Sequence, residues 1–348
     1  MTLAGDCHVS TRPEWAPHSA TWLQWPHKRE ESGFAPTFCQ IVKVLIPHER
    51  VDLIVPDADV RRSAEELLSK AGVPVDRITF HEIPTDWCWC RDSGPIFAAD
   101  PQGLFISDWR FTGWGRTKFC KNDDKVPRHV AEWLNLHRVR YRLVLEGGAI
   151  EFNGNGTAIT SWPCLHHRNP DESRERMERT LRKAFGLSRV VWLEKAPPRD
   201  EDYTRGHVDG IARFIDKNTV VVGEIADPRD PVARVFESAA AIIKDAGFTV
   251  KRLPIPVKRE ADGSVERCNY LNWYVANGVV LVGVFGSAQH DRAALARIRR
   301  FWPGRKVVGI NIREMWQKGG GGIHCVTQQQ PATASRIVAS ERCQASRS

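Results

Sequence analysis

Helical periodicity returns along this chain at a near-constant interval. Apolar residues at helical spacing mark five segments, about 59–71, 124–136, 172–185, 231–246 and 290–301, starting roughly every 60 residues. Their ends carry ordinary signals: Asp57 or Asp59 ahead of the first, Asp123 and Asp124 ahead of the second, Asp171 ahead of the third and Pro231 opening the fourth. Gly72, Gly186 and Gly247 supply stops. A short β-rich stretch follows each helix: Arg77–Ile83, Val139–Leu145, Val190–Leu193, Phe248–Leu253 and Lys306–Ile310. Five copies of one unit let a chain of 348 residues fold as a single repeating α/β domain.

Each β-stretch leads to an unusual polar or glycine-rich cluster. The clusters are Trp89-Cys-Arg-Asp92-Ser-Gly-Pro95, Glu146-Gly-Gly148, Gly206-His-Val-Asp209, Asn269-Tyr-Leu-Asn272 and Gly319 to Cys325. Equivalent places in five units converge on one axis if the units close into a ring, which would gather Asp92, His207, Asp209 and Cys325. An open doubly wound sheet is the other architecture of this kind, but it would spread the clusters along an edge and calls for a glycine-rich dinucleotide turn that the sequence does not contain.

Cys325 lies in the run Lys318-Gly-Gly-Gly-Gly-Ile-His-Cys325. Glycines admit close approach of a substrate to the main chain, and Ile323 and Val326 read as entry to a buried strand, so the thiol is expected at a mobile rim, as a nucleophile or as a buried structural cysteine. A phosphate-cradling loop would need Lys-Ser/Thr after the glycines. His207 and Asp209, two places apart, share a face of an expected strand between Gly206 and Gly210. Together the candidates are one thiol, one imidazole and two carboxylates. Two carboxylates beside a thiolate repel it, so the missing partner should be a cation. A planar guanidinium offers forked N–H donors to Asp92 and Asp209, leaves its central carbon open to Cys325, and lets His207 act as acid and base. A zinc site from Cys88 and Cys90 with His166, His167 or His324 is the metal alternative, but Cys-Trp-Cys lacks the usual gap, so no metal and no cofactor are expected. Trp22, Trp25, Trp87, Trp89 and Trp114 could wall a cation pocket or simply pack the core.

Composition narrows the setting. Hydrophobic residues at 42% and charged residues at 26% describe a globular chain. The net charge of +8 is dispersed, with no nucleic-acid signature, so no nucleic-acid partner is expected. The apolar run 279–285 is far short of a membrane span and the first residues do not read as a signal peptide. Nine cysteines without framework spacing fit reduced thiols. A soluble cytoplasmic protein follows, one catalytic domain over 1–331 with a loose tail over 332–348.

The motifs, in order, resemble those of the agmatine deiminase family, the porphyromonas-type peptidylarginine deiminase branch of the guanidino-group-modifying enzymes. The likeness runs from Glu14-Trp-Ala-Pro-His18 and Thr21-Trp-Leu-Gln-Trp-Pro26 through Trp89 to Pro95, Glu146-Gly-Gly148, Asn169-Pro170, Gly206 to Asp209 and Tyr270 to Asn277, ending at Gly320 to Pro331. The resemblance implies a five-bladed α/β propeller, the pentein fold, with pseudo-fivefold repeats. It implies hydrolysis of agmatine to N-carbamoylputrescine and ammonia through a covalent thiouronium, with Cys325 as nucleophile, His207 as acid/base, Asp92 and Asp209 as guanidinium ligands, and Glu146 and Trp89 as supporting pocket residues. A homo-oligomer is compatible with it. The chain departs from the family where substrate is chosen. Tyr203 stands where a carboxylate is common and Arg205 where a small polar residue is common; Trp87 replaces a frequent acid, and Phe111-Thr-Gly-Trp-Gly115 differs from Phe-Asn-Ala-Trp-Gly. Arg205 could receive a substrate carboxylate, pointing to free arginine, another guanidino acid or peptidylarginine. A non-catalytic guanidine or arginine-peptide binding protein is the alternative of a different class.

Overall fold

A computed structural model describes residues 9–198, 202–259 and 265–332. Its strands are β1 (His18–Gln24), β2 (Arg50–Val55), β3 (Ile78–Glu82), β4 (Ile96–Asp100), β5 (Gly103–Arg110), β6 (Arg138–Val144), β7 (Ile150–Phe152), β8 (Thr157–Ser161) and β9 (Arg189–Leu193). They continue with β10 (Ala212–Phe214), β11 (Thr219–Glu224), β12 (Thr249–Pro254), β13 (Val257–Arg259), β14 (Val265–Arg267), β15 (Tyr274–Ala276), β16 (Val279–Val284), β17 (Lys306–Asn311) and β18 (Thr327–Pro331).

One pattern recurs five times. An antiparallel hairpin, a crossover helix and a third strand parallel to the second form the sheets β4-β5-β6, β7-β8-β9, β10-β11-β12 and β15-β16-β17. The fifth sheet, β18-β1-β2-β3, is closed by strands from opposite ends of the described chain: β18 pairs antiparallel with β1, Trp22 opposite Gln328 and Leu23 opposite Thr327. The central strands are buried on both faces, which is why β16 (VVLVGV) and β11 (TVVVGE) read as continuous apolar runs. β13 and β14 form a separate ribbon.

The units pack in cyclic order. Each crossover helix leans on the sheet before its own: Trp133 meets His81 of β3 edge-on, Phe185 stacks on Trp109 of β5, helix Pro231–Asp245 packs on β9, and helix Ala288–Phe301 packs on β12. Helix Ala35–Leu45 of the β1 sheet packs on β17, and the ring is complete.

All five expected helices are present, as Ala58–Lys70, Val126–Leu134, Arg174–Phe185, Pro231–Asp245 and Ala288–Phe301, and each is followed by its expected strand. Asp57 caps the first through the amides of Asp59 and Val60, but Ser173 rather than Asp171 caps the third. Asp123 and Asp124 cap nothing: Asp123 accepts from the amides of Asp86 and Trp87, and Asp124 from that of Phe111. Short hairpin strands such as β7 and β10 have only three residues and carry no period, and helix Ala35–Leu45 is additional to the five expected. The tail expected over 332–348 lies, apart from Ala332, outside the described residues.

Because β18 closes the ring, ending the chain at Val326 should abolish cooperative thermal unfolding, followed by circular dichroism. Ending it at Ala332 should shift the midpoint by no more than about 3 °C.

Candidate active site

The loops that follow the third strand of each unit all reach one place. No side chain fits at Gly148, where a Cβ would lie 2.6 Å from His207 Nδ1, 3.0 Å from Asp92 Oδ1 and 3.1 Å from Asp209 Oδ2. That missing methyl lets three charged groups from two loops converge on a third. The other two loops bring Asn272 and Cys325, with Asn272 Oδ1 3.4 Å from Cys325 Sγ.

Asp92 rides on the helical turn Cys90–Ser93. Its Oδ2 accepts from Trp114 Nε1 at 2.8 Å and its Oδ1 from the Gly148 amide at 3.1 Å. Trp114 is held in left-handed backbone at φ 55° between Gly113 and Gly115, a conformation that costs energy in a bulky residue and here aims the indole at the carboxylate. His207 Nε2 pairs with Glu146 Oε2 at 2.8 Å, and Glu146 Oε1 accepts from Arg168 Nε at 2.7 Å. His207 Nδ1, 3.6 Å from Asp92, has no hydrogen-bond partner among the described residues. Asp209 Oδ2 accepts from His324 Nδ1 at 2.8 Å and lies 3.8 Å from Cys325 Sγ. His324 in turn reaches Glu14 Oε2 at 2.6 Å.

Two local expectations are corrected. His207 and Asp209 share no strand: Val208–Gly210 is a 3-10 turn, which sends His207 toward Glu146 and Asp209 toward Cys325. Cys325 does not enter a strand either, because Ile323–Val326 is one helical turn and β18 starts at Thr327. The glycines before it serve close packing. A Cβ at Gly321 would come within 2.3 Å of the Trp89 ring, and one at Gly322 within 2.5 Å of Asn272 Oδ1.

Burial opposes every charge here, so the neighbours decide the protonation states. Burial pushes the Cys325 thiol well up, and the carboxylates of Asp209 and Asp92 add to that. Burial would lower His207, but Asp92, Cys164 and Glu146 outweigh it and hold the imidazole well above its ordinary value. Glu146 is brought down to about 2, Arg168 and His207 overcoming its burial. Asp209 is also brought down to about 2, chiefly by His324 against the penalty of burial. Asp92 moves the other way: burial raises it, and Glu146 and Asp209 reinforce the rise against His207.

The metal alternative from Cys88, Cys90 and the histidines does not assemble: His324 is held by Asp209 and Glu14, and His166 stacks on Trp162. Among the described residues Glu146, Cys164 and His207 have metal-like spacing, but Arg168 already neutralises Glu146 and stands where a cation would be repelled. Of the five tryptophans, Trp89 and Trp114 reach the site, while Trp22 bonds Gln330 and Trp25 packs on Phe38.

The model of the Porphyromonas-type peptidyl-arginine deiminase family matches residues 10–331. The chain belongs to that family. An agmatine deiminase of Stutzerimonas stutzeri is 34% identical, the match covering 92% of this chain and 94% of the relative. The solved C. jejuni agmatine deiminase with substrate bound superposes with a TM-score of 0.84 at 25% identity, covering 95% of this chain and 99% of that one. That of Enterococcus faecalis gives a TM-score of 0.83 at 26% identity, covering 94% and 98%. The protein is thus a hydrolase of the C–N bonds of guanidino groups, with the pentein fold.

Within this family's frame, Tyr203 stands apart from the site at 67% exposure. Arg205 is in left-handed backbone at φ 62°, in a loop that Asp202 ties through Thr204 and Gly206. Trp87 lies under the ammonium groups of Lys28 and Lys118, 4.1 and 5.2 Å from the ring centre.

The free enzyme should hold Cys325 as a thiol at neutral pH. Inactivation by the neutral reagent iodoacetamide should therefore be slow there and accelerate only above the ordinary thiol range. Asp209→Asn or Asp92→Asn removes a repelling charge and should move that midpoint down by about one pH unit. An unchanged or upward-moving midpoint contradicts the electrostatics.

Proposed function

We propose that the protein hydrolyses the guanidinium group of agmatine, giving N-carbamoylputrescine and ammonia, with Cys325, His207, Asp92 and Asp209 as its reacting and binding groups. The observation that carries this reading is the buried pair of carboxylates, Asp92 and Asp209, on either side of the space that Gly148 leaves open beside a thiol. A forked cation between them neutralises both and lowers the thiol's pKa, so the substrate itself favours the thiolate.

The Cys325 thiol gives its proton to solvent, its Sγ bonds to the guanidinium carbon, and the C–N electron pair leaves with a proton from His207 as ammonia, which solvent protonates to ammonium. The resulting thiouronium accepts the oxygen of a water whose proton His207 takes. Collapse breaks the C–S bond and restores the thiol. Guanidinium and water are consumed, and a ureido group and ammonium ion are released. Glu146, anchored by Arg168, keeps His207 protonated and oriented for the first transfer.

Cys325→Ser should release no measurable ammonia from agmatine while unfolding at the wild-type temperature. Asp92→Asn and Asp209→Asn should each cost about 3 kcal/mol or more of transition-state stabilisation, since each strips one partner from a desolvated charge pair. Wild-type turnover should survive exhaustive chelation. Binding of agmatine without ammonia release would instead support the binding-protein alternative.

One observation favours a second substrate. Lys28 and Lys118 place positive charge over Trp87, whose Nε1 donates to the Phe119 carbonyl of the same loop that carries Trp114 to Asp92. Such a flank suits the carboxylate of arginine or another guanidino acid better than agmatine's distal ammonium. Arg205 is the third cation of this reading. Arg205→Glu should shift the ratio of kcat/KM values toward agmatine by at least roughly tenfold, about 1.4 kcal/mol. Equal effects on agmatine and arginine, or a strong wild-type preference for agmatine, reject it. The seven described cysteines are all free thiols, which supports the cytoplasmic setting.

A further inference from the structure

His324 lies beside the nucleophile but touches nothing in the space between Asp92 and Asp209. It is 1% exposed, and its ring spans two carboxylates, with Nδ1 2.8 Å from Asp209 Oδ2 and Nε2 2.6 Å from Glu14 Oε2. Ionised carboxylates only accept, so both ring nitrogens donate. The two ends differ. Glu14 is fixed from several sides: its Oε1 accepts from Arg213 Nη2 at 3.0 Å and from the Val275 amide at 2.8 Å, and its Oε2 from Arg91 Nη2 at 3.4 Å. Arg91 Nε also donates to the His324 carbonyl at 3.3 Å. Asp209, among the described residues, receives one nitrogen donor, His324 Nδ1.

We propose that His324 is the positioning residue that aims and charges Asp209 for the guanidinium, with Glu14 as the fixed point against which its ring is set. The inference rests on the guanidinium-hydrolysis reading and extends it by one residue and one direction of action. Asp209 is faced by His324, Cys325, His207, Asp92 and Arg213, and His324 by Asp209, Glu14, Glu151 and Arg91. Of the groups facing Asp209, His324 does most to hold its carboxyl near 2 against burial, which raises it. Without His324 the carboxyl loses its nitrogen donor and its aim, so it holds the guanidinium less tightly.

Two near-isosteric variants separate this role from a purely structural one. His324→Asn keeps an N–H close to the place of Nδ1 and cannot reach Glu14, whereas His324→Gln puts its N–H close to the place of Nε2 and leaves Asp209 without a donor. With agmatine, His324→Gln should lose at least roughly thirtyfold in kcat/KM, the scale of one lost charge-assisted hydrogen bond. The loss should fall mainly on KM, because Asp209 holds the guanidinium less tightly while Cys325 and His207 keep their places. His324→Asn should stay within about fivefold of wild type. Should His324→Gln fail to fold, His324→Ala takes its place against His324→Asn. Calorimetric binding of agmatine in the Cys325→Ser background reads the same contrast without turnover. If wild-type protein releases no ammonia the hydrolysis reading falls, and the binding series still decides the role of His324. Equal losses in the two variants, a loss that falls on kcat with KM unchanged, or a weaker His324→Asn than His324→Gln overturns the proposal.

Discussion

Burying a carboxylate costs several kcal/mol unless a cation or several donors meet it, and this protein buries Asp92, Asp209, Glu146 and Glu14 around one thiol. The cations that answer them are unevenly shared. Arg168 takes Glu146, and Arg213 and Arg91 take Glu14, with His324 passing part of that neutralisation to Asp209. Asp92 has the Trp114 and Gly148 N–H groups and the nearby His207 but, among the described residues, no arginine in an ion pair. The shell is therefore closed at its outer edge and short of positive charge at its centre. A cation of the right shape completes it, and the thiol that burial and two carboxylates keep protonated becomes a nucleophile when that cation arrives.

The ring supplies the geometry for this imbalance. Loops from five separate sheets can meet only if the sheets are set around an axis, and the closure of β18 onto β1 brings Glu14 and Cys325, more than 300 residues apart, into one network through His324. Local strain is concentrated at the same place. Trp114 and Arg205 hold positive φ in loops flanking the site, and Gly148 admits no Cβ at all. Such features persist only where surrounding structure fixes them, which here is the packing of each crossover helix on its neighbouring sheet.

Much of this was legible in the residues. The five helices and their following strands stood out because periodic apolar faces and Gly stops act over one short window, and the polar cluster after each strand located all five loops of the site. Cys325, His207, Asp92 and Asp209 are expected together from their side-chain chemistry, and the structure brings them together. The short hairpin strands were not legible, since three residues of β7 or β10 carry no period. His207-Val-Asp209 had strand spacing, and only the Gly206 and Asp202 contacts make it a turn. Glu14, His324 and Asn272 stand out in the sequence only as members of motifs or as possible metal ligands, and Arg168 does not stand out at all. Their roles come from long-range pairing, and the one local hint was that His324 directly precedes the nucleophile.

The central claim is that Cys325 bonds to the guanidinium carbon of a substrate held between Asp92 and Asp209. Mass spectrometry of the acid-quenched steady-state reaction, with isotopic carbon at the guanidine position of agmatine and of arginine, tests it directly. The account predicts a labelled thiouronium on the peptide that carries Cys325, from whichever substrate is turned over. Label on Cys88, Cys90 or Cys164, or ammonia release with no label on any thiol, would contradict it.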